Sequence, residues 1–261
     1  MKEYIISGIS DNGTKTEQNQ DACFVGKTKV DTGEVVFAAV CDGMGGTQSG
    51  ELASATIIEE ARNWFYSKCD LAENWYFDDN SIHEEWENIF VQSNNRILEY
   101  GRNNGITLGS TAAFVLVSND MIRIMNIGDT RIYEIAGGMR KLNYDHSVVG
   151  QEIASGKITE EEAKTDKRNN MLTQCIGMLD NIIPYYAVFP VAPSSSYFIC
   201  SDGFYNRVSN VEIEERLKNS EINSTEDLDS ALHTLVNMDR MRGERDDITV
   251  VAVVSKEDQP E

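Results

Sequence analysis

Basic residues are scarce in this chain. Its 261 residues hold 23 Lys plus Arg against 43 Asp plus Glu, a formal net charge of −20, and no basic run offsets the excess locally. A surface of that sign repels phosphate backbones and anionic headgroups, which argues against nucleic acid and membrane as partners. Long apolar runs are missing as well. No stretch approaches the roughly eighteen residues that a bilayer span requires, and the N-terminal "MKEYIISGISDNG" has no signal-peptide apolar region. A cytoplasmic protein is the expectation. Cysteine is odd in number and scattered (Cys23, Cys41, Cys69, Cys175, Cys200) without a C-x-x-C pair. Neither a disulfide framework nor a zinc site fits that pattern, so the five read as reduced thiols.

What is present describes an ordinary globule, 41% hydrophobic with a mean hydropathy of −0.38. No linker and no internal repeat divides residues 1–261, which read as a single domain. Short strands are expected over 4–10, 21–26 and 34–41, then a helix from about Gln48 to Tyr66 with Leu52, Ala55, Ile58, Ala61 and Phe65 on its apolar face. After a polar connection over 68–80, Ser81 and Glu84 form a capping box for a second helix. Its repeating residues are Ile82, Trp86, Ile89, Phe90, Ile97 and Tyr100. The pattern then turns to β: "STAAFVLV" and "MIRIMNIG" flank a Ser-Asn-Asp turn, and "TRIYEI" stops before Gly137-Gly138. Residues 146–180 are polar and carry a capping box at Thr159 and Glu162, which suggests a mobile helical insert. "SSYFICSDG" and "DITVVAVV" are strands, with helices near 210–218 and 226–241 between them. The sum is an α+β fold with largely antiparallel sheet and helices packed outside.

Acids recur where these apolar runs end. "VVFAAVCDGMGG" stops on Asp42, "NIGDT" on Asp129 and "ICSDG" on Asp202, while Asp246 precedes the last strand and Asp21 the second. Singly, each has an ordinary explanation, because Asp-Gly is a common turn. Together they describe carboxylates that can converge at one end of a sheet, and such a cluster repels itself unless cations neutralise it. Oxygen donors without a Cys or His pair select hard ions such as Mg²⁺ or Mn²⁺ over Zn²⁺. Glycines after Asp42 let backbone carbonyls and a substrate approach closely, since no Cβ intervenes. The same stretch lacks the Gly-Lys-Ser/Thr of a phosphate-binding loop and the G-x-G-x-x-G of a dinucleotide site. It also lacks the Asp-x-Asp of haloacid-dehalogenase enzymes, Val40 standing where the first Asp would be.

"TEQNQDACF", "VCDGMGGTQSGELAS", "LGSTAAFVLV", "IMNIGDTRIYEI", "NYDHS", "NNMLTQCIGM", "ICSDGFYN" and "RDDITVVAVV" occur in that order from about residue 5 to 254. This series resembles the motifs of the metal-dependent type 2C (PPM) serine/threonine protein phosphatases in their compact bacterial form. The resemblance implies a four-layer α-β-β-α sandwich, two antiparallel sheets flanked by helices, with a flap over roughly 147–180 beside a metal cleft. It implies two or three Mn²⁺ or Mg²⁺ ions. Asp42 matches the acid that bridges two of them, and the Gly43 carbonyl completes the second ion's shell. Asp202 and Asp246 match further ligands of the first ion, Asp21 an acid that holds metal-bound water, and Asp129, with Asp202, a third and weaker site. The implied reaction is hydrolysis of phosphoserine or phosphothreonine in proteins by a hydroxide bridging two ions, in opposition to a bacterial Ser/Thr kinase. A monomer is expected.

Five positions depart from the family pattern. Gln20 stands where many members have a Glu that reaches the second ion through water. Thr16 stands where an Arg binds the substrate phosphate, and the adjacent Lys15 is the candidate substitute, a point charge without the guanidinium fork. Asn206 occupies a position usually held by Asp, and Asp247 one where Asn is frequent. Met44 replaces a His assigned as general acid in eukaryotic relatives. The alternative these substitutions keep open is a catalytically silent member that binds phosphoproteins or a regulatory partner. His83 and His233 read as structural, and Cys41 and Cys200 as buried core.

Overall fold

The computed structural model describes residues 2–45, 49–70, 77–118, 120–163, 165–169 and 171–256. The chain opens with three strands, β1 (Glu3–Asp11), β2 (Asp21–Val30) and β3 (Gly33–Gly45), followed by two long helices, α1 (Gly50–Cys69) and α2 (Asp79–Asn104). Five strands come next: β4 (Leu108–Ser110), β5 (Ala112–Ser118), β6 (Met121–Ile127), β7 (Arg131–Ile135) and β8 (Met139–Lys141). Two short helices, α3 (Val148–Ala154) and α4 (Glu160–Ala163), precede β9 (Tyr185–Pro190) and β10 (Ser196–Cys200). The chain continues through α5 (Asp202–Tyr205), α6 (Asn210–Leu217) and α7 (Thr225–Met241) to β11 (Ile248–Lys256).

Two antiparallel sheets result, ordered β1-β11-β10-β7-β8 and β2-β3-β5-β6-β9, with β4 paired to the end of β3. The apolar run of β3 shows why they stack. Alternate residues of a strand point to opposite faces. Val36, Ala38 and Val40 meet Val251 and Val253 of the facing sheet, while Val35, Phe37, Ala39 and Cys41 meet Ala53 and Ile57 of α1 and Trp86 and Phe90 of α2. A strand covered on both faces needs an unbroken apolar sequence. On the outer side of the other sheet, Leu228, Leu232 and Leu235 of α7 pack against Val250 and Val254 of β11. The four layers are therefore helix, sheet, sheet, helix.

Two helix readings need correction. In α1 the buried face is Ala53, Ile57, Ala61 and Phe65, whereas Leu52 is 40% exposed. The four-residue spacing of small and large side chains brings the helix close to β3, and the alternative stripe through Leu52 and Ala55 lies a quarter-turn away. The expected start at Gln48 lies outside the described residues. In α2 the cap is Asp78, whose carboxylate accepts from the Ser81 N–H at 2.8 Å and the Ser81 hydroxyl at 2.7 Å. Ser81 is thus inside the first turn, because a carboxylate three residues earlier competes successfully for its amide. Tyr100 is exposed, and the rest of the expected face holds.

Strand β9 had no counterpart in the sequence reading. Its edge position beside β6 accommodates Pro190 at its end, and Tyr185, Ala187 and Phe189 turn towards the inter-sheet core. The Thr159–Glu162 capping box is present, with Glu162 accepting from the Thr159 N–H at 2.8 Å. The bridge Ser147–Leu172 closes the segment around it on itself, and Ser110–Ile176 joins that segment to β4. Gly46, the Asn119 turn, residues 71–76 of the polar connection, and Lys164 and Asn170 of the flap lie outside the described residues.

Candidate metal centre

Antiparallel pairing decides where the acids go. Asp21, the first residue of β2, is directly opposite Asp42 on β3. Cys200, the last residue of β10, is opposite both Val250 near the start of β11 and Arg131 at the start of β7. Asp202 and Asp246 therefore emerge at one end of their sheet, and Asp129, between β6 and β7, emerges there too. The two sheets meet at this end: the Ser201 hydroxyl, beside Asp202, donates to the Asp21 carboxylate at 2.7 Å.

The charges of these carboxylates act on one another. Burial, then the charges of Asp21, Asp202, Asp129 and Asp246, push the Asp42 carboxyl well above its ordinary range. Burial raises Asp21 to about 7, against the Ser201 hydrogen bond that favours its charged form. Burial and then Asp202 raise Asp129 to about 7, and burial and then Asp246 raise Asp202 to about 6. Carboxylates that push one another's protons on are short of positive charge.

Asp42 is fixed by its backbone. Its N–H donates to the Thr111 hydroxyl at 2.9 Å, its carbonyl accepts from the Thr111 N–H at 2.9 Å, and Thr111 contacts the Thr130 hydroxyl at 2.5 Å. The sequence reading missed this threonine pair, although each follows a motif it had marked, "LGST" and "IGDT". Gly43 donates its N–H to the Gln20 carbonyl at 3.0 Å, and a Cβ there would lie 2.2 Å from the Gly50 carbonyl. The glycine thus admits backbone carbonyls, as expected, and those carbonyls fill the space beside it.

Other expected residues are placed differently. The Gln20 N–H is held by Asp247 at 2.7 Å and its carbonyl by the Ser54 hydroxyl at 2.6 Å. Asp247 spends its second oxygen on the Gly13 N–H at 2.7 Å, which makes it a clamp on the 13–20 loop. Thr16 donates to the Gln18 carbonyl at 2.8 Å, within its own loop. Lys15 reaches Asp246, Nζ to Oδ2 at 2.7 Å. Cys41 and Cys200 are buried core, and His83 stacks on Tyr186 at 4.5 Å between ring centroids. His146 accepts from the Gly128 N–H through Nδ1 at 3.3 Å.

Among the described residues, no three His, Cys, Asp or Glu side chains stand gathered as a ready metal-binding group. The donor set nonetheless fits a hard divalent cation by its chemistry: carboxylate and carbonyl oxygens, mutually repelling, with Asp246 drawn to Lys15. The family model for protein phosphatase 2C matches residues 12–238. The chain belongs to the protein phosphatase 2C family. It is a protein phosphatase of the serine/threonine class. A protein phosphatase 2C-type protein of Streptococcus pyogenes is 32% identical over 260 residues, 98% of this chain and 99% of that protein. The solved serine/threonine phosphatase of S. agalactiae superposes with a TM-score of 0.81 at 29% identity, over 96% of this chain and 99% of that one. The catalytic domain of the phosphatase PstP, solved with two manganese ions, shares the fold at a TM-score of 0.79 and 22% identity, over 98% of this chain and all of that one. No helix among the described residues of this phosphatase 2C chain is long and apolar enough to cross a membrane.

Proposed function

We propose that this phosphatase hydrolyses phosphoserine and phosphothreonine in proteins by direct attack of water, without a phosphoenzyme, and so reverses a Ser/Thr kinase. The observation that supports the reading is the placing of Asp42 opposite Asp21 at the end where Asp202, Asp129 and Asp246 also emerge, with the charge of each acting on Asp42. Asp42, Asp202 and Asp246 would hold the cations directly, with the Gly43 carbonyl as a further donor. Asp21 and Gln20 would act through water, and Asp129 would serve an additional ion. Bound divalent cations supply Lewis acidity that lowers the pKa of water and neutralises phosphoryl charge.

The chain's own residues supply the rest. Strand pairing and the Thr111 hydrogen bonds hold Asp42 rigid, which keeps its oxygens in register with Asp21 across the sheet. The Asp247 clamp fixes the loop that carries Lys15 and Gln20. Asp246 would be among the residues that hold an ion, and Lys15, which pairs with it at 2.7 Å, is the residue that would meet the substrate's phosphate. At a net charge of −20, the protein admits a dianionic phosphate where that charge is locally reversed.

The test is hydrolysis of p-nitrophenyl phosphate and a phosphothreonine peptide with Mn²⁺, Mg²⁺ or EDTA, beside an Asp202→Asn control. Metal-dependent turnover that disappears in the control is expected. Absence of turnover from folded protein under every metal would favour the silent phosphoprotein binder instead.

A further inference from the structure

Arg240 lies in the last turn of α7, and every nitrogen of its guanidinium has a partner outside that helix. Nε donates to Asp11 Oδ1 at 2.7 Å, and Nη2, 2.6 Å from the same oxygen, donates to the Asp11 carbonyl at 3.1 Å. Nη1 donates to the Asp246 carbonyl at 2.6 Å and to the Glu244 carbonyl at 3.3 Å. Between those two, the Arg245 carbonyl accepts from the Thr14 and Lys15 N–H groups at 2.8 and 3.1 Å. The Glu244 carboxylate accepts from the Arg245 and Asp246 N–H groups at 2.7 and 2.9 Å, which closes the turn from within.

Two loops therefore lie flush, one leading from Asp11 to Lys15 and the other carrying Asp246. A Cβ at Gly13 would stand 2.4 Å from the Arg245 carbonyl oxygen, so no side chain fits between them. The Arg240 fork holds the pair together, with the end of β1 on one edge and the Asp246 turn on the other. An ammonium, whose three donors share one atom, cannot span that distance. Asp11 is 44% exposed, and as an ion pair its contact adds little stability. What the fork supplies is the relative placing of two backbones.

That placing bears on Lys15. Its ammonium is a point charge on a flexible four-carbon stem, without the directional fork of an arginine, so it is aimed by the backbone that carries it. We propose that Arg240 is a positioning residue that locks the Lys15 loop to the Asp246 loop, and so fixes the phosphate-binding ammonium relative to an ion-binding carboxylate. The proposal rests on the roles given to Lys15 and Asp246 under the proposed function.

Arg240→Gln tests it, alone and combined with Lys15→Ala, with thermal melting in EDTA as the fold control. Alone it should raise KM for a phosphothreonine peptide about fivefold, as far as Lys15→Ala does, and the double variant should rise no further, because both changes remove one interaction. In calorimetric titration, the Mn²⁺-binding step that Asp246→Asn abolishes should weaken about tenfold in Arg240→Gln, as when a group supporting a ligand is removed. Should Arg240→Gln fail to fold, Asp11→Ala cuts the link at its other end and decides by the same two readings. Asp11→Asn, which keeps an acceptor oxygen, should restore both. A wild-type KM in folded Arg240→Gln, a rise that multiplies with that of Lys15→Ala, or a wild-type Mn²⁺ affinity would overturn the lock and leave the proposed function intact. An unchanged KM in Lys15→Ala would overturn the phosphate role of Lys15 and the lock with it.

Discussion

At Asp246 a lysine and a cation compete for one carboxylate. Lys15 donates to Oδ2, while Oδ1 accepts from the Asp247 N–H at 3.1 Å, so the side chain is oriented before any ion arrives. Lys15 is largely exposed, which sets the scale of its contribution. Lys15→Ala should raise KM for a phosphothreonine peptide roughly fivefold, about 1 kcal/mol for an exposed charge pair, with a smaller fall in kcat. Steady-state kinetics check this, and an unchanged KM removes Lys15 from phosphate binding. The carboxylates themselves were marked in the sequence, because each lies at the end or the start of an apolar run. Asp247 was not legible as a clamp: two adjacent acids in "RDDIT" cannot both face the cleft, and only the fold shows which turns to the Gly13 and Gln20 amides. Arg131 and Tyr205 were likewise invisible as a pair, since they meet 74 positions apart in a contact that no local pattern encodes.

Individual elements show where periodicity suffices and where it does not. β3 was readable because burial on both faces demands an unbroken apolar run. The face of α1 was partly misassigned, with Ala61 and Phe65 buried as expected and Leu52 and Ala55 exposed, because two apolar stripes compete and only the tertiary contact selects one. The contrast is measurable: Ile57→Ala, at a fully buried site, should cost about 2–5 kcal/mol in urea unfolding. Leu52→Ala should stay within about 0.5 kcal/mol. Helix α7 carries a second test. Asp239 is wholly buried; its Oδ1 accepts from the Arg207 N–H at 3.2 Å, and its Oδ2 has no hydrogen-bond partner among the described residues. Burial raises its carboxyl to about 7. Between about 4 and about 7 the folded state then holds a proton that the unfolded chain has released, so stability falls as pH rises, by up to about 1.4 kcal/mol per unit. Asp239→Asn should flatten that decline when melting is followed across the same window, and an unaltered slope would show that Asp239 folds ionised.

For the whole molecule, the acidic composition and the layered fold have one meeting point. Strand pairing gathers acids from both sheets at one end, and the segment containing α3 and α4 is bridged to β4 beside them through Ser110 and Ile176. The α+β class and the acid set could be read from composition and run ends, and the order of layers followed from the family resemblance. Strand β9 and the internal hold of Lys15 on Asp246 required coordinates. The central claim is that Asp42 organises cations between the two sheets, and calorimetric Mn²⁺ titration of wild type and Asp42→Asn tests it most directly. The account predicts uptake of more than one ion by the wild type and loss of the tight binding in a variant that still melts cooperatively, because an amide cannot supply the anionic oxygen. Equal Mn²⁺ uptake by the two proteins would contradict it.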